Sequence, residues 1–143
     1  PMDTQLQVAH TIQQVISRYS LDCSTGAWDR VLALYLPDAS WDIPHLGMSF
    51  TGHAAIHQAL STFFATMDYV LQHNAPAVIE LNGDRATARS GIRECGKSAG
   101  KLEGFEYFGI YADELVRTAE GWKFEKRTFQ GLGTSYFPLA PGS

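Results

Sequence analysis

The sequence predicts an α+β fold in which a curved antiparallel sheet and three helices from the N-terminal half enclose a pocket. Three observations carry this reading. Apolar residues recur at helical spacing in three segments up to Met67, the period shifts toward that of strands from Tyr69 onward, and Asn82-Gly83 marks a tight hairpin among those strands.

Thr4 and Gln7 have the spacing of a capping box, and Ile12, Val15, Ile16 and Tyr19 follow on one face as helix one. Gly26 interrupts. Trp28, Val31, Leu32 and Tyr35 form helix two, which Pro37 stops because its ring cannot continue a helix. Ala39 to Ile43 reads as a short strand, Pro44 to Gly47 as a turn, and Met48 to Phe50 as a second extended piece. The third helix carries Ile56, Leu60, Phe63, Phe64 and Met67 on its apolar face.

Asn82-Gly83 is flanked by strands, the second running from about Arg85 to Gly96. Arg85, Thr87, Arg89 and Arg93 lie on one side of it, with Ala86, Ala88, Ser90 and Ile92 on the other. Lys97 to Gly100 is a loop, Phe105 to Arg117 a strand, Glu120-Gly121 a turn, Trp122 to Phe129 the last strand, and Gly131 onward a loop-like tail. A chain of 143 residues holds one hydrophobic core with little left for a second, so residues 2–143 are read as one domain.

The composition narrows the function. A net charge of −4 with eleven scattered basic residues gives no footprint for nucleic acid or anionic lipid. No apolar run is long enough to span a membrane, and the first residues lack the pattern of a secretion signal, so no membrane is expected and the location is expected to be cytoplasmic. Pro1 precedes what reads as the initiator Met2 and is given no chemical role. Cys23 and Cys95 have no CxxC spacing and read as reduced residues in or near the core. His53 and His57 are four apart on a helix, but the Glu of an HExxH motif is absent and no third ligand is evident, so no metal is expected. Gly131-Leu132-Gly133 does not follow a strand-to-helix pattern and counts as tail rather than a dinucleotide loop.

Several segments carry a family likeness: Ile16 to Tyr19 leading to Gly26-Ala27-Trp28-Asp29, Leu36-Pro37-Asp38-Ala39, and Thr51-Gly52-His53-Ala54-Ala55-Ile56. Asn82-Gly83-Asp84-Arg85-Ala86, Gly109 through Arg117, Gly121-Trp122-Lys123-Phe124 with Arg127, and Ser135 to Pro141 continue it. On these pieces the chain resembles the NTF2-like superfamily and its SnoaL-like branch, which includes polyketide cyclases, scytalone dehydratase and hexachlorocyclohexane dehydrochlorinase. The resemblance implies a cone-shaped fold. It also implies a histidine on the strand after helix three as acid/base, oriented by an aspartate near the end of helix one. His73 falls where that histidine is expected, and a gap-free alignment on Gly26 to Asp29 puts Ser24 at the aspartate, with Asp22 two residues earlier.

A neutral imidazole can take a proton from carbon or pass one to a leaving hydroxyl without a cofactor, and none is expected. His73 is either that group or a strand histidine bonded to a backbone carbonyl. Asp22 follows Tyr19 at three residues and continues the inward stripe, so it is either the orienting carboxylate or a helix-end residue bonded to nearby amides. Tyr19 is a supporting hydrogen-bond donor or a core residue. Ser24, Trp41, Phe64, Tyr107 and Phe108 are candidate substrate contacts, the four aromatics being either pocket lining or plain packing. Glu94 continues the face of Ala86 to Ile92 and either enters the cavity as a second base or reaches water.

The expected function is that of a cofactor-independent lyase or isomerase, of dehydratase or cyclase type, acting on a small, mostly apolar cyclic molecule. The alternative is a noncatalytic small-molecule-binding protein with a degenerate dyad. The face bearing Arg85, Arg89 and Arg93, together with family habit, points to a homodimer.

Overall fold

The computed structural model describes residues 2–143. Helix α1 spans Met2–Thr25 and buries Ile12, Val15, Ile16, Tyr19 and Cys23 along one stripe. Thr4 lies inside this helix rather than capping it, because no breaking residue stands at Met2 or Asp3. The helix ends where the amides of Gly26 and Ala27 bond back to the carbonyls of Cys23 and Asp22.

Helix α2, Trp28–Ala33, is shorter than its apolar spacing suggests. Tyr35 already belongs to strand β1, Tyr35–Ile43. Pro37 biases the residue before it toward extended backbone, and the Phe124 amide donates to the Leu34 carbonyl at 2.8 Å, so the chain leaves the helix two residues early. A 3₁₀ turn at Pro44–Leu46 leads to β2, Met48–Thr51, which pairs with β1. Helix α3, His53–Phe64, follows, and Met67 opens the next strand instead of closing this helix.

Five strands complete the chain: β3 (Met67–Asn74), β4 (Val78–Asn82), β5 (Arg85–Ser98), β6 (Glu103–Thr118) and β7 (Gly121–Pro138). Gly83, at φ 62°, supplies the positive dihedral of the β4–β5 hairpin. The sheet order is β2-β1-β7-β6-β5-β3, with β4 also on β5. It is mixed rather than wholly antiparallel, since β1 runs parallel to β7 while the other pairs are antiparallel.

Two elements extend past their expected ends. Strand β5 includes Lys97, and β7 continues through the segment expected to be loop, because Gly133 to Pro138 pair with Glu103 to Phe108 of β6. Pairing overrides the weak strand preference of Gly131 and Gly133. Register shifts next to Phe108 and Glu114 leave Leu132 and Glu125 as extra residues in β7, and such bulges bend long strands into a concave face. Among the described residues, no helix is long and apolar enough to cross a membrane.

The centre of the core is charged. Arg127, with no exposed surface, donates from Nε to Asp113 Oδ1 at 2.7 Å and from Nη2 to Oδ2 at 3.0 Å. The two residues are direct partners across β6 and β7. The guanidinium carbon lies 3.7 Å from the Tyr111 ring centroid and 4.3 Å from those of Tyr19 and Phe124. Burial alone would lower the guanidinium pKa, but the Asp113 carboxylate outweighs it and holds the pKa above its ordinary value.

Removing one partner strands the other's charge in the core. Arg127→Met is expected to cost about 3–5 kcal/mol in urea unfolding, and adding Asp113→Leu to recover most of that loss. A single variant as stable as the wild type would contradict this account.

Candidate functional site

The concave face of the sheet encloses a cavity of about 500 Å³ beside α3 and the Pro44–Leu46 turn. Its walls are mainly apolar. Trp41 and Ile43 come from β1, Leu60, Phe63 and Phe64 from α3, and Phe129 from β7. The Trp41 ring packs edge-on against Phe63, with centroids 5.9 Å apart, which fixes the wall between strand and helix.

One polar row crosses the cavity. Gln72 of β3 pairs with Glu94 of β5, Glu94 with Tyr107 of β6, and Tyr107 with Thr134 of β7, and all four line the cavity. The alternation of strand side chains puts them on the same face. Gln72 Nε2 donates to Glu94 Oε1 at 2.8 Å, leaving Gln72 Oε1 buried without a protein partner. Surrounding protein desolvates Glu94 and raises its carboxyl pKa, against a smaller lowering by the Gln72 amide. Glu94 nevertheless keeps some of its surface toward the cavity.

Two more groups complete the polar inventory. The hydroxyls of Tyr107 and Tyr136 lie 3.1 Å apart, and burial followed by that hydrogen bond pushes the Tyr107 phenol pKa up, so it stays neutral. His45 lines the cavity from the 3₁₀ turn, and its Nδ1 accepts the Gly131 N–H at 3.2 Å.

The residues expected at the site divide by element. Glu94, Trp41, Phe64, Tyr107 and Phe108 line the cavity. Helix α1 contributes none of its lining, because the cavity lies beside α3. Tyr19 is fully buried, with its hydroxyl accepting from Tyr35 at 3.0 Å. Asp22 pairs with Arg30 at 3.3 Å. Ser24 Oγ donates to the Ser20 carbonyl and accepts the Gln72 backbone N–H at 3.1 Å, which ties α1 to β3.

His73 differs from its expected position. It is exposed on the outer face of β3 opposite Arg93, and no hydrogen bond joins it to Asp22 among the described residues. Val70 and Gln72 point inward, so the period of two turns His73 outward, and a shift of one residue is enough to exchange the faces. Gln72, with its backbone on Ser24, therefore occupies the inward position beside the helix end. His53, also singled out, donates from Nε2 to the Tyr35 carbonyl at 3.0 Å, while the His57 ring lies against Trp28.

Sequence reasoning missed Gln72, His45 and Tyr136. Gln72 was hidden behind its neighbour His73. His45 lay in a segment read only as a turn, and Tyr136 in one read as tail. The available signal for His45 was its place between two extended pieces, Ala39 to Ile43 and Met48 to Phe50, which pair as a hairpin at one edge of the sheet.

Solved structures share the architecture. A protein from Novosphingobium aromaticivorans described as a candidate scytalone dehydratase superposes with a TM-score of 0.87 at 20% identity, covering 100% of this chain and 99% of that one. A protein of the same species described as a candidate aromatic ring hydroxylase gives 0.84 at 24% identity, covering 92% and 94%. A hexachlorocyclohexane dehydrochlorinase from Novosphingobium barchaimii gives 0.81 at 16%, covering 96% and 93%. At these identities the likeness establishes the fold, which is the NTF2-like cone. No curated protein matches the chain by sequence. The family model for the SnoaL-like domain matches residues 4–128, nearly the whole described chain, and the protein belongs to that family.

Proposed function

We propose that the protein is a cofactor-independent lyase or isomerase that takes a small, mostly apolar cyclic molecule into the cavity and moves a proton with Glu94. The observation that carries this is a single carboxyl group in an apolar, aromatic-walled cavity, with its pKa raised by burial. A carboxyl whose pKa is raised by burial is a stronger base, once ionised, than an ordinary glutamate. The volume of about 500 Å³ falls within the usual range for small-molecule sites. The names dehydratase and dehydrochlorinase among the similar structures both denote eliminations.

In an elimination, Glu94 would accept the proton from a ring carbon, the C–H electron pair would form the new double bond, and the leaving group would depart with its own pair. In an isomerisation the same carboxyl would return the proton at another position. Gln72 holds one Glu94 oxygen and leaves the other for the substrate. His73 and Asp22 are replaced in this reading because proton transfer needs a group within reach of the bound molecule.

A noncatalytic binding protein is the second reading. It is favoured by Ser24 and Gln72, which are engaged with each other in a structural hydrogen bond.

Proton abstraction from carbon is measurable without the natural substrate. Deuterium exchange at the saturated carbon next to the carbonyl of 2-cyclohexenone and 1-tetralone should be accelerated by the wild type and slowed about 100-fold or more by Glu94→Gln. Equal exchange by the two proteins would remove Glu94 from the mechanism, and ketones bound without accelerated exchange would favour the second reading.

Stability offers an independent check of the carboxyl. With its folded pKa raised, Glu94 keeps a proton that the unfolded chain releases, so its contribution to stability is lost as pH rises from the ordinary glutamate value through the raised one. Glu94→Gln should therefore gain on the wild type in urea unfolding as pH rises from about 4.3, the ordinary glutamate value, until the raised folded value is passed. A difference independent of pH would contradict the shift.

A further inference from the structure

His45 has a more defined environment than an exposed turn residue requires. Its Nδ1 accepts the Gly131 N–H, and an amide does not give up that proton, so the neutral ring carries its own proton on Nε2. The ring also lies directly over Gly131. A Cβ added there would sit 2.5 Å from Nε2 and 2.8 Å from Cε1, so the seat exists only because position 131 is glycine. The Phe129 ring flanks it at 6.0 Å, and Leu46 and Leu132 line the same end of the cavity. Among the described residues no protein acceptor takes the Nε2–H.

We infer that His45 binds an oxygen of the cavity's ligand, with Nε2–H donating a hydrogen bond to a carbonyl or similar acceptor on a cyclic molecule. The inference rests on the cavity being a ligand site, as proposed above, but not on Glu94 transferring a proton. Glu94 on β5 and the His45 seat at Gly131 on β7 are two strand spacings apart and displaced by two residues along β6, roughly 12 Å between backbone positions, which leaves room for a ring between them.

The two groups divide the chemistry. When Glu94 takes a proton from the carbon next to the carbonyl, the C–H pair forms a carbon–carbon double bond and the carbonyl π pair moves onto oxygen. The His45 Nε2–H bond strengthens as that charge grows, and the imidazole keeps its proton throughout. Compounds without an acceptor oxygen lose this interaction.

The test compares 1-tetralone with tetralin, a two-ring hydrocarbon of the same skeleton, by tryptophan fluorescence titration of the full chain. His45→Phe should lower the ratio of ketone to hydrocarbon affinity about five- to tenfold, the size of one hydrogen bond, while tetralin still binds. Gly131→Ala, which crowds the ring, should lower the ratio as well. In the unliganded wild type, ¹⁵N NMR should find the proton of neutral His45 on Nε2. An unchanged ratio in His45→Phe, no measurable ketone binding, or an Nδ1-protonated ring would overturn the inference. A shifted ratio without α-carbon exchange would sink only the proton-transfer proposal, and exchange with an unchanged ratio only this one.

Discussion

The pairing of Arg127 with Asp113 at the centre of the core is the constraint on which the rest of the structure depends. A buried guanidinium is tolerated only with a carboxylate in bidentate contact and apolar or π surface on its faces, and those requirements fix several elements at once. Asp113 and Arg127 lock β6 against β7 in one register. Tyr19 brings α1 onto the guanidinium, Tyr35 bonds to Tyr19 from the start of β1, and Trp41 pairs beside Arg127 across the parallel β1–β7 contact. Tyr111, stacked on the same guanidinium, also lines the cavity, so the ion pair and the site share a wall.

From that fixed register the cavity follows. The bulge at Leu132 bends β7 where it passes the 3₁₀ turn, and the alternation of side chains sends Gln72, Glu94, Tyr107 and Thr134 to the concave side in one row. An apolar enclosure around a carboxyl has a thermodynamic consequence. Desolvation raises the proton affinity of Glu94, which costs stability at neutral pH and increases basicity toward a bound molecule. Stability is given up at a position that lines the cavity.

Much of the fold was legible because local periodicity and tertiary burial agree. The stripe from Ile12 to Tyr19, the apolar face of α3 from Ile56 to Phe64 and the alternation from Arg85 to Arg93 all appear in the structure, with Met67 alone moved from that helix to the next strand. What sequence did not reveal depends on distant partners. Tyr35 joins a strand because the core rings and the Phe124 amide hold it there, and the Gly131 to Pro138 segment becomes strand because β6 extends far enough to pair with it. The site shows the same division. Glu94 could be assigned to the inner face by counting in twos along its own strand. His73 rested on a counted offset in a resemblance, and one residue reverses a strand face. The seat of His45 on Gly131 joins positions 86 residues apart, and no local pattern announces such a contact.

Glu94 is a desolvated carboxyl on the cavity wall, and its own titration tests the proposed role most directly. With ¹³C-labelled glutamate, and Glu94→Gln to assign the signal, the side-chain carboxyl should titrate above the ordinary glutamate value and shift when 1-tetralone fills the cavity. A midpoint near the unperturbed value of about 4.3, unmoved by the ketone, would contradict the account.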